Sequence, residues 1–99
     1  MANFLITYDL NGPAPSHKQM DDHLLALGPA FLRGRILETV WFLAGPTNSP
    51  QLRDYIRRIL SQNDLLIVTE MADAAWTRLL VDGNAFKASF EANERSKAA

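Results

Sequence analysis

The 99-residue chain contains no cysteine. This excludes disulfide bonds, thiolate zinc sites and cysteine nucleophiles, and it fits a reducing compartment. The chain also lacks any apolar run near the roughly 20 residues that a membrane-spanning helix needs. No basic segment precedes a short apolar stretch at its start, as it would in a secretory signal. The sequence therefore predicts a cytoplasmic protein with no membrane association.

Neither sign of charge predominates. The chain has ten Lys and Arg residues and eleven Asp and Glu residues, and its net charge is −1. Affinity for nucleic acid comes largely from counterions that Lys and Arg displace. A protein that binds nucleic acid over its whole surface is therefore excluded. Local basic clusters remain at Arg33 with Arg35 and at Arg53 with Arg57 and Arg58.

The content of 47% hydrophobic and 21% charged residues is that of one ordinary globular domain. An apolar strand covers residues 3–9, and a turn rich in glycine and proline follows it. Ser16 and Gln19 form a capping-box signature, which predicts a helix that ends near Gly28. Residues 31–45 predict two strands with a tight reversal near Glu38.

The second half of the chain again predicts a helix followed by a strand. Ser49 as N-cap and Pro50 at the first helical position predict a second helix, and residues 65–71 predict a fourth strand. Residues 74–81 fit either a strand or a helix. A short helix around Phe86 and Phe90 is expected before residues 94–97 fray into solvent.

The order of elements predicts an α+β protein, the β-α-β-β-α-β plan of the ferredoxin-like fold, with two helices on one face of an antiparallel sheet. Residues 1–83 would form this domain, and residues 84–99 a C-terminal extension that is partly helical or frayed. Residues 40–43 and 65–68 are apolar on both faces of the sheet. The residues that remain are too few to cover the second face, which predicts a homodimer packed through the open sheet faces or through edges joined by the C-terminal segment.

Asp9 is the main candidate for chemistry, because it follows directly on a rigid apolar strand. A buried carboxylate needs a metal, a cation, a hydrogen-bond donor or water. The alternative is that Asp9 only ends the strand and begins the turn. A metal site built from His17 and Asp21, four residues apart, is less well supported than a solvated helix face.

Three segments together resemble the small CRISPR-associated endoribonuclease family, the ferredoxin-fold subunit of spacer acquisition. They are a strand that ends Tyr8-Asp9-Leu10-Asn11, a helix, and then Ile36-Leu37-Glu38-Thr39-Val40-Trp41-Phe42. The divergent SinR-like branch is more similar still, since Ala75-Trp76 follows the last core strand as it does there. The resemblance covers roughly residues 3–80.

The resemblance implies that Asp9 meets its symmetry mate across a homodimer and that the two carboxylates hold Mg²⁺, with Mn²⁺ as a substitute. It implies cleavage of RNA or DNA, with Thr39 as a supporting hydroxyl. We expect Arg35, Arg53 and Arg57 to bind the phosphate backbone. The chain departs from the family pattern where Gly12-Pro13-Ala14-Pro15 stands in place of basic residues, and where Thr39 replaces a serine.

Two further hypotheses stay open. The first is a non-catalytic dimeric scaffold or adaptor that docks a larger protein through Phe86, Phe90 and the tail. The second is a small-molecule-binding regulator of the same fold, although no phosphate-cradling glycine loop supports it. Trp41 and Trp76 fit core or interface positions better than base-stacking positions, because no ladder of aromatic and basic residues surrounds them.

Overall fold

Four strands and three helices make up the part of the chain that the computed structural model describes, which is the backbone of residues 2–98 and the side chains of residues 2–94. In chain order they are β1 (Ala2–Asp9), α1 (His17–Leu25), β2 (Leu32–Leu37), β3 (Val40–Gly45), α2 (Ser49–Arg57), β4 (Leu65–Glu70) and α3 (Gly83–Ala98). The predicted α+β class and the predicted succession of the first six elements are confirmed.

The four strands form one sheet in the order β2-β3-β1-β4, and every neighbouring pair is antiparallel. Strand β1 is therefore central, with Thr7 opposite Val40 of β3 on one side and opposite Ile67 of β4 on the other. The β2–β3 register shifts between Arg35 and Leu37, close to the reversal that joins these strands.

Helices α1 and α2 cover one face of the sheet, which we call the helix face. Side chains alternate along a strand, so Phe4, Ile6 and Tyr8 point to this face and are buried there. Each helix contributes a buried stripe to the core. The stripes are Met20 and Leu24 on α1, and Leu52 and Ile56 on α2.

The first helix begins as predicted, since Ser16 and Gln19 exchange the two hydrogen bonds of a capping box. The start of α2 differs by one residue from the prediction. The side chain of Asn48, rather than Ser49, accepts the N–H of Gln51 at 2.9 Å. Pro50 then lies within the first turn, where its missing N–H has no partner to lose.

The other side of the sheet, which we call the outer face, carries a second apolar cluster. Helix α3 lies on it, and Phe86 and Phe90 pack there over Phe42 and Ala44. The expectation that the chain has too few residues to cover this face is therefore wrong for the part under α3. The C-terminal extension, expected to be partly helical or frayed, has a helical backbone to Ala98.

Residues 71–82, which we call the strap, connect β4 to α3 and contain neither strand nor helix. The prediction of regular structure at residues 74–81 is wrong. The alternation of apolar side chains there reflects contacts of Ala74, Trp76 and Leu79 with the outer-face cluster. A chain that crosses a sheet obliquely can bury such side chains without helical or strand geometry.

Candidate functional site

Asp9 is the last residue of β1, and its side chain is exposed on the outer face. The register pairs Asp9 with Leu65 and Thr7 with Ile67, so these side chains share that face. Leu65 is 61% exposed and Ile67 is 57% exposed. Residues 7–9 and 65–67 line a shallow depression of about 210 Å³. The carboxylate thus lies at the margin of an exposed apolar surface.

This surface continues across the sheet. Val40 lies opposite Thr7, and Leu37 lies opposite Val40 and is 46% exposed. We call the surface formed by Leu65, Ile67 and Thr7 the outer patch; Leu37 and Val40 lie beyond it, beside the strap. Strand β4 is an edge strand, so its outer side also presents unpaired backbone groups to a second chain.

Thr39 lies beside the end of β1, because its carbonyl oxygen accepts the N–H of Tyr8 at 3.2 Å. The structure therefore brings Thr39 and Asp9 to the same end of the sheet. Among the described residues, the Thr39 hydroxyl has no hydrogen-bond partner, which leaves it available to a ligand.

Arg35 lies on the helix face, since the register places it opposite Trp41. Nearby, the phenol oxygen of Tyr8 accepts the indole N–H of Trp41 at 3.2 Å. Burial raises the pKa of Tyr8, and the charge of Asp21 adds to this, while the Trp41 hydrogen bond and Arg35 oppose it. The phenol therefore stays protonated, and Arg35 projects from the face opposite to Asp9.

Arg53 and Arg57 lie together on α2 and share one carboxylate. Their guanidinium nitrogens approach Asp54 Oδ1 at 3.0 and 3.4 Å. The predicted basic cluster therefore exists, but one negative charge partly neutralises it. Because α2 covers the helix face, the structure does not bring these arginines to Asp9.

Metal ligation by a single copy of the chain has little support. Among the described side chains, no three histidines, aspartates or glutamates come close enough together to hold a metal ion. Asp64, at the same end of the sheet, already accepts the N–H groups of Asn11 and Ser61 at 2.7 Å each. Asp9 thus supplies one carboxylate, which fits a Mg²⁺ site only if a second chain contributes another.

The two phenylalanines expected to dock a partner are not available for it. Phe86 and Phe90 are buried against the chain's own sheet. Trp41 belongs to the core on the helix face. Trp76 packs edge-on against Phe86, with ring centroids 4.7 Å apart. A scaffold function, if there is one, must use another surface.

Sequence reasoning missed Asn3, whose side chain is fully buried and joins β1 to α3. An asparagine before an apolar run was its only signal.

Comparison of the chain with protein-family models, with curated proteins and with solved structures finds no match. None of the described helices combines the length and the apolar character needed to cross a membrane.

Proposed function

We propose that this chain is a cytoplasmic, homodimeric protein with the ferredoxin-like fold and the activity of the CRISPR-associated endoribonuclease type. It would hydrolyse phosphodiester bonds of RNA or DNA with the help of a divalent cation. The fold part of the proposal is supported by two central strands, β1 and β3, flanked by β4 and β2, with α1 and α2 together on one face.

The observation that carries the proposal is the position of Asp9 at the margin of the outer patch. An exposed apolar surface favours association, and two identical chains usually associate about a two-fold axis. An axis through the outer patch would bury Leu65 and Ile67 of both copies. It would also bring the two Asp9 residues toward each other, because each is the register neighbour of Leu65.

Two Asp9 carboxylates would hold Mg²⁺, or Mn²⁺ in its place, with oxygen ligands of the kind that these cations prefer. When bound, the cation would supply activation of water and stabilisation of charge on the phosphate. The chain's own contribution would be to hold Asp9 on a rigid strand end and to offer the Thr39 hydroxyl beside it. Arg35, Arg53 and Arg57 would bind phosphates only where the nucleic acid extends beyond the outer face.

A non-catalytic scaffold is the second candidate. It is favoured by the separation of Asp9 from the three arginines, which lie on the helix-face side of the sheet. In this case the outer patch would still form the homodimer, and Asp9 would only end its strand. A larger protein partner would then bind elsewhere on the dimer.

The deciding experiment is cleavage of labelled single-stranded RNA, single-stranded DNA and duplex DNA with Mg²⁺ or Mn²⁺. Wild type is compared with Asp9→Asn, which keeps the side-chain size and removes the charge. Asp22→Asn serves as the matched control, because Asp22 is exposed on α1 and, among the described side chains, pairs only with Lys18. Circular dichroism checks that all three proteins are folded.

We expect divalent-dependent cleavage that falls by more than about tenfold in Asp9→Asn and is unchanged in Asp22→Asn. Cleavage that is equal in all three proteins would indicate a contaminant and contradict the nuclease. If folded wild type cleaves nothing, the scaffold function is supported in its place.

A further inference from the structure

The strap crosses the outer face as a bridge that is attached at both ends. The N–H of Met71 donates to the carbonyl of Asn3 at 2.8 Å, and the N–H of Leu80 donates to the carbonyl of Ile36 at 2.9 Å. Within the described chain, residues 72–79 make no backbone–backbone hydrogen bond. Side-chain packing of Ala74, Trp76 and Leu79 on the outer-face cluster, rather than backbone hydrogen bonding, therefore holds the middle of the strap.

A cavity of about 620 Å³ lies between the strap and the sheet. Ligand pockets in proteins commonly have volumes of about 300–1,000 Å³ and a mostly apolar lining with a few polar groups. The lining from the sheet, the strap and α3 fits this description. Its main apolar members are Leu5, Ile36, Val40, Met71, Leu79 and Phe86.

The cavity lining contains one cation, Arg78, and one carboxylate, Asp73. Arg78 lines the cavity, is exposed, and has no hydrogen bond or ion pair with any described residue. Asp73 also lines it, but its carboxylate accepts the N–H of Ala74 at 2.9 Å within its own turn. Thr7 and Thr77 add hydroxyl groups to the lining. The Asp73 carboxylate is held within its own turn, whereas the Arg78 guanidinium has no described partner, so the group that can pair with a ligand is the cation and the ligand group that matches it is an anion.

We infer that this cavity is a binding site for a small amphipathic carboxylate, whose aliphatic chain lies under the strap and whose carboxylate pairs with Arg78. Burial of the chain against aliphatic side chains supplies affinity at about 25 cal/mol per Å² of apolar area. The guanidinium supplies selectivity for an anion through charge-assisted hydrogen bonds. The site is built from one copy of the chain and does not use Asp9, although it shares Thr7 with the outer patch.

Decanoate is the probe, and decanol and decylamine are its neutral and cationic counterparts. Binding to the full-length protein is measured by isothermal titration calorimetry. Arg78→Gln removes the cation, and Arg58→Gln is its matched control, since Arg58 is an exposed arginine over the Tyr55 ring on the other side of the sheet. Ala74→Phe fills the cavity from the strap.

We expect saturable binding of one decanoate per chain and weaker binding of decanol and decylamine. The affinity for decanoate should fall by about tenfold in Arg78→Gln, stay unchanged in Arg58→Gln, and vanish in Ala74→Phe. Thermal unfolding provides a second measurement, since decanoate should raise the melting temperature of wild type and not that of Ala74→Phe.

Two results would overturn the inference. One is the absence of saturable decanoate binding to folded wild type. If Ala74→Phe then also converts a dimer to a monomer, the cavity holds part of a second copy instead. The other is binding that is equal in wild type, Arg78→Gln and Ala74→Phe, which would place the ligand elsewhere. Neither result bears on cleavage by Asp9, so the two proposals fail separately.

Discussion

Asn3 shows how a single polar side chain can hold the C-terminal helix on the sheet. It is 0% exposed, and its amide nitrogen donates to the Phe90 carbonyl at 3.2 Å and to Glu94 Oε1 at 3.0 Å. Its amide oxygen accepts from Asn93 Nδ2 at 2.8 Å. All three partners belong to α3, so the buried amide is satisfied only when this helix is docked.

We expect Asn3→Ala to lower the free energy of unfolding by about 2 kcal/mol, because it leaves the buried Asn93 amide without its partner. Urea unfolding followed by circular dichroism measures this. Asn84→Ala is the control, since that side chain is exposed on the first turn of α3. Equal stability of the two variants would contradict the role of Asn3.

The stability of the folded chain depends on pH through Asp64, which lies in the turn before β4. Desolvation by itself would raise the pKa of Asp64, but the N–H groups of Asn11 and Ser61 outweigh it and hold the pKa below its usual value of 3.8. The folded chain therefore favours the carboxylate. The resulting stability is complete above the usual pKa and is lost as the pH falls through the lower folded-state value.

We expect Asp64→Asn to be less stable than wild type at pH 7, with a difference that narrows as the pH falls below about 4. Urea unfolding over this pH series measures the difference. Gln62→Ala changes an exposed, uncharged residue of the same turn and should show no such trend. A difference for Asp64→Asn that stays constant with pH would rule out the carboxylate as its source.

At the scale of single residues, the sequence predicted features that depend on neighbours in the chain. It did not predict contacts between residues far apart in the sequence. The exposed end position of Asp9 and the Ser16–Gln19 cap follow from neighbours in the chain. The burial of Asn3 depends on Phe90, Asn93 and Glu94 of α3, which are 87 or more residues away. No local pattern predicts such a pairing, because a polar residue at a strand start is usually solvated.

The succession of the first six elements was predicted correctly, and most of these elements carry one strong local signal. Strands β1, β3 and β4 are runs of apolar or β-branched residues, and α1 and α2 carry a buried stripe behind a capping residue. The strap was predicted wrongly because Trp76 and Leu79 suggest a buried face, while their burial comes from α3 and the sheet. Tertiary contacts decide the structure where local propensity is weak.

Helix α3 depends on Phe86 more than on its own helix propensity. The Phe86 ring contacts Phe42 and Trp76 edge-on, with centroids 4.9 and 4.7 Å away. We expect Phe86→Ala to reduce stability by about 3 kcal/mol, since it leaves a cavity between the helix, the strap and the sheet. Urea unfolding of this variant, compared with the exposed Lys87→Ala, measures the effect. A loss no larger than that of Lys87→Ala would show that the outer-face cluster contributes little.

The whole molecule leaves one side of its sheet incompletely covered. Helix α3 and the strap lie over Phe42 and Ala44, but the outer patch beside Asp9 remains open. The sequence indicated an uncovered second face, and the structure limits it to the end of the sheet where β1 ends. The homodimer itself stays a prediction.

We expect Ile67→Lys to convert a dimer to a monomer, because a lysine at the centre of the outer patch would place two like charges across the two-fold axis. Sedimentation velocity measures the oligomeric state. Leu25→Lys is the control, since Leu25 is 52% exposed on α1, away from the outer face. Wild type that sediments as a monomer at high concentration would contradict the dimer, and so would a dimer that persists in Ile67→Lys.

The central position of β1 has a consequence for how the protein is made. Along the described chain this strand comes before both of its sheet neighbours, β3 and β4, and before the α3 partners of Asn3. During translation its apolar side chains therefore lack their partners until these later elements have been synthesised. Products of premature termination would expose this strand, which makes them clients for chaperones and proteases.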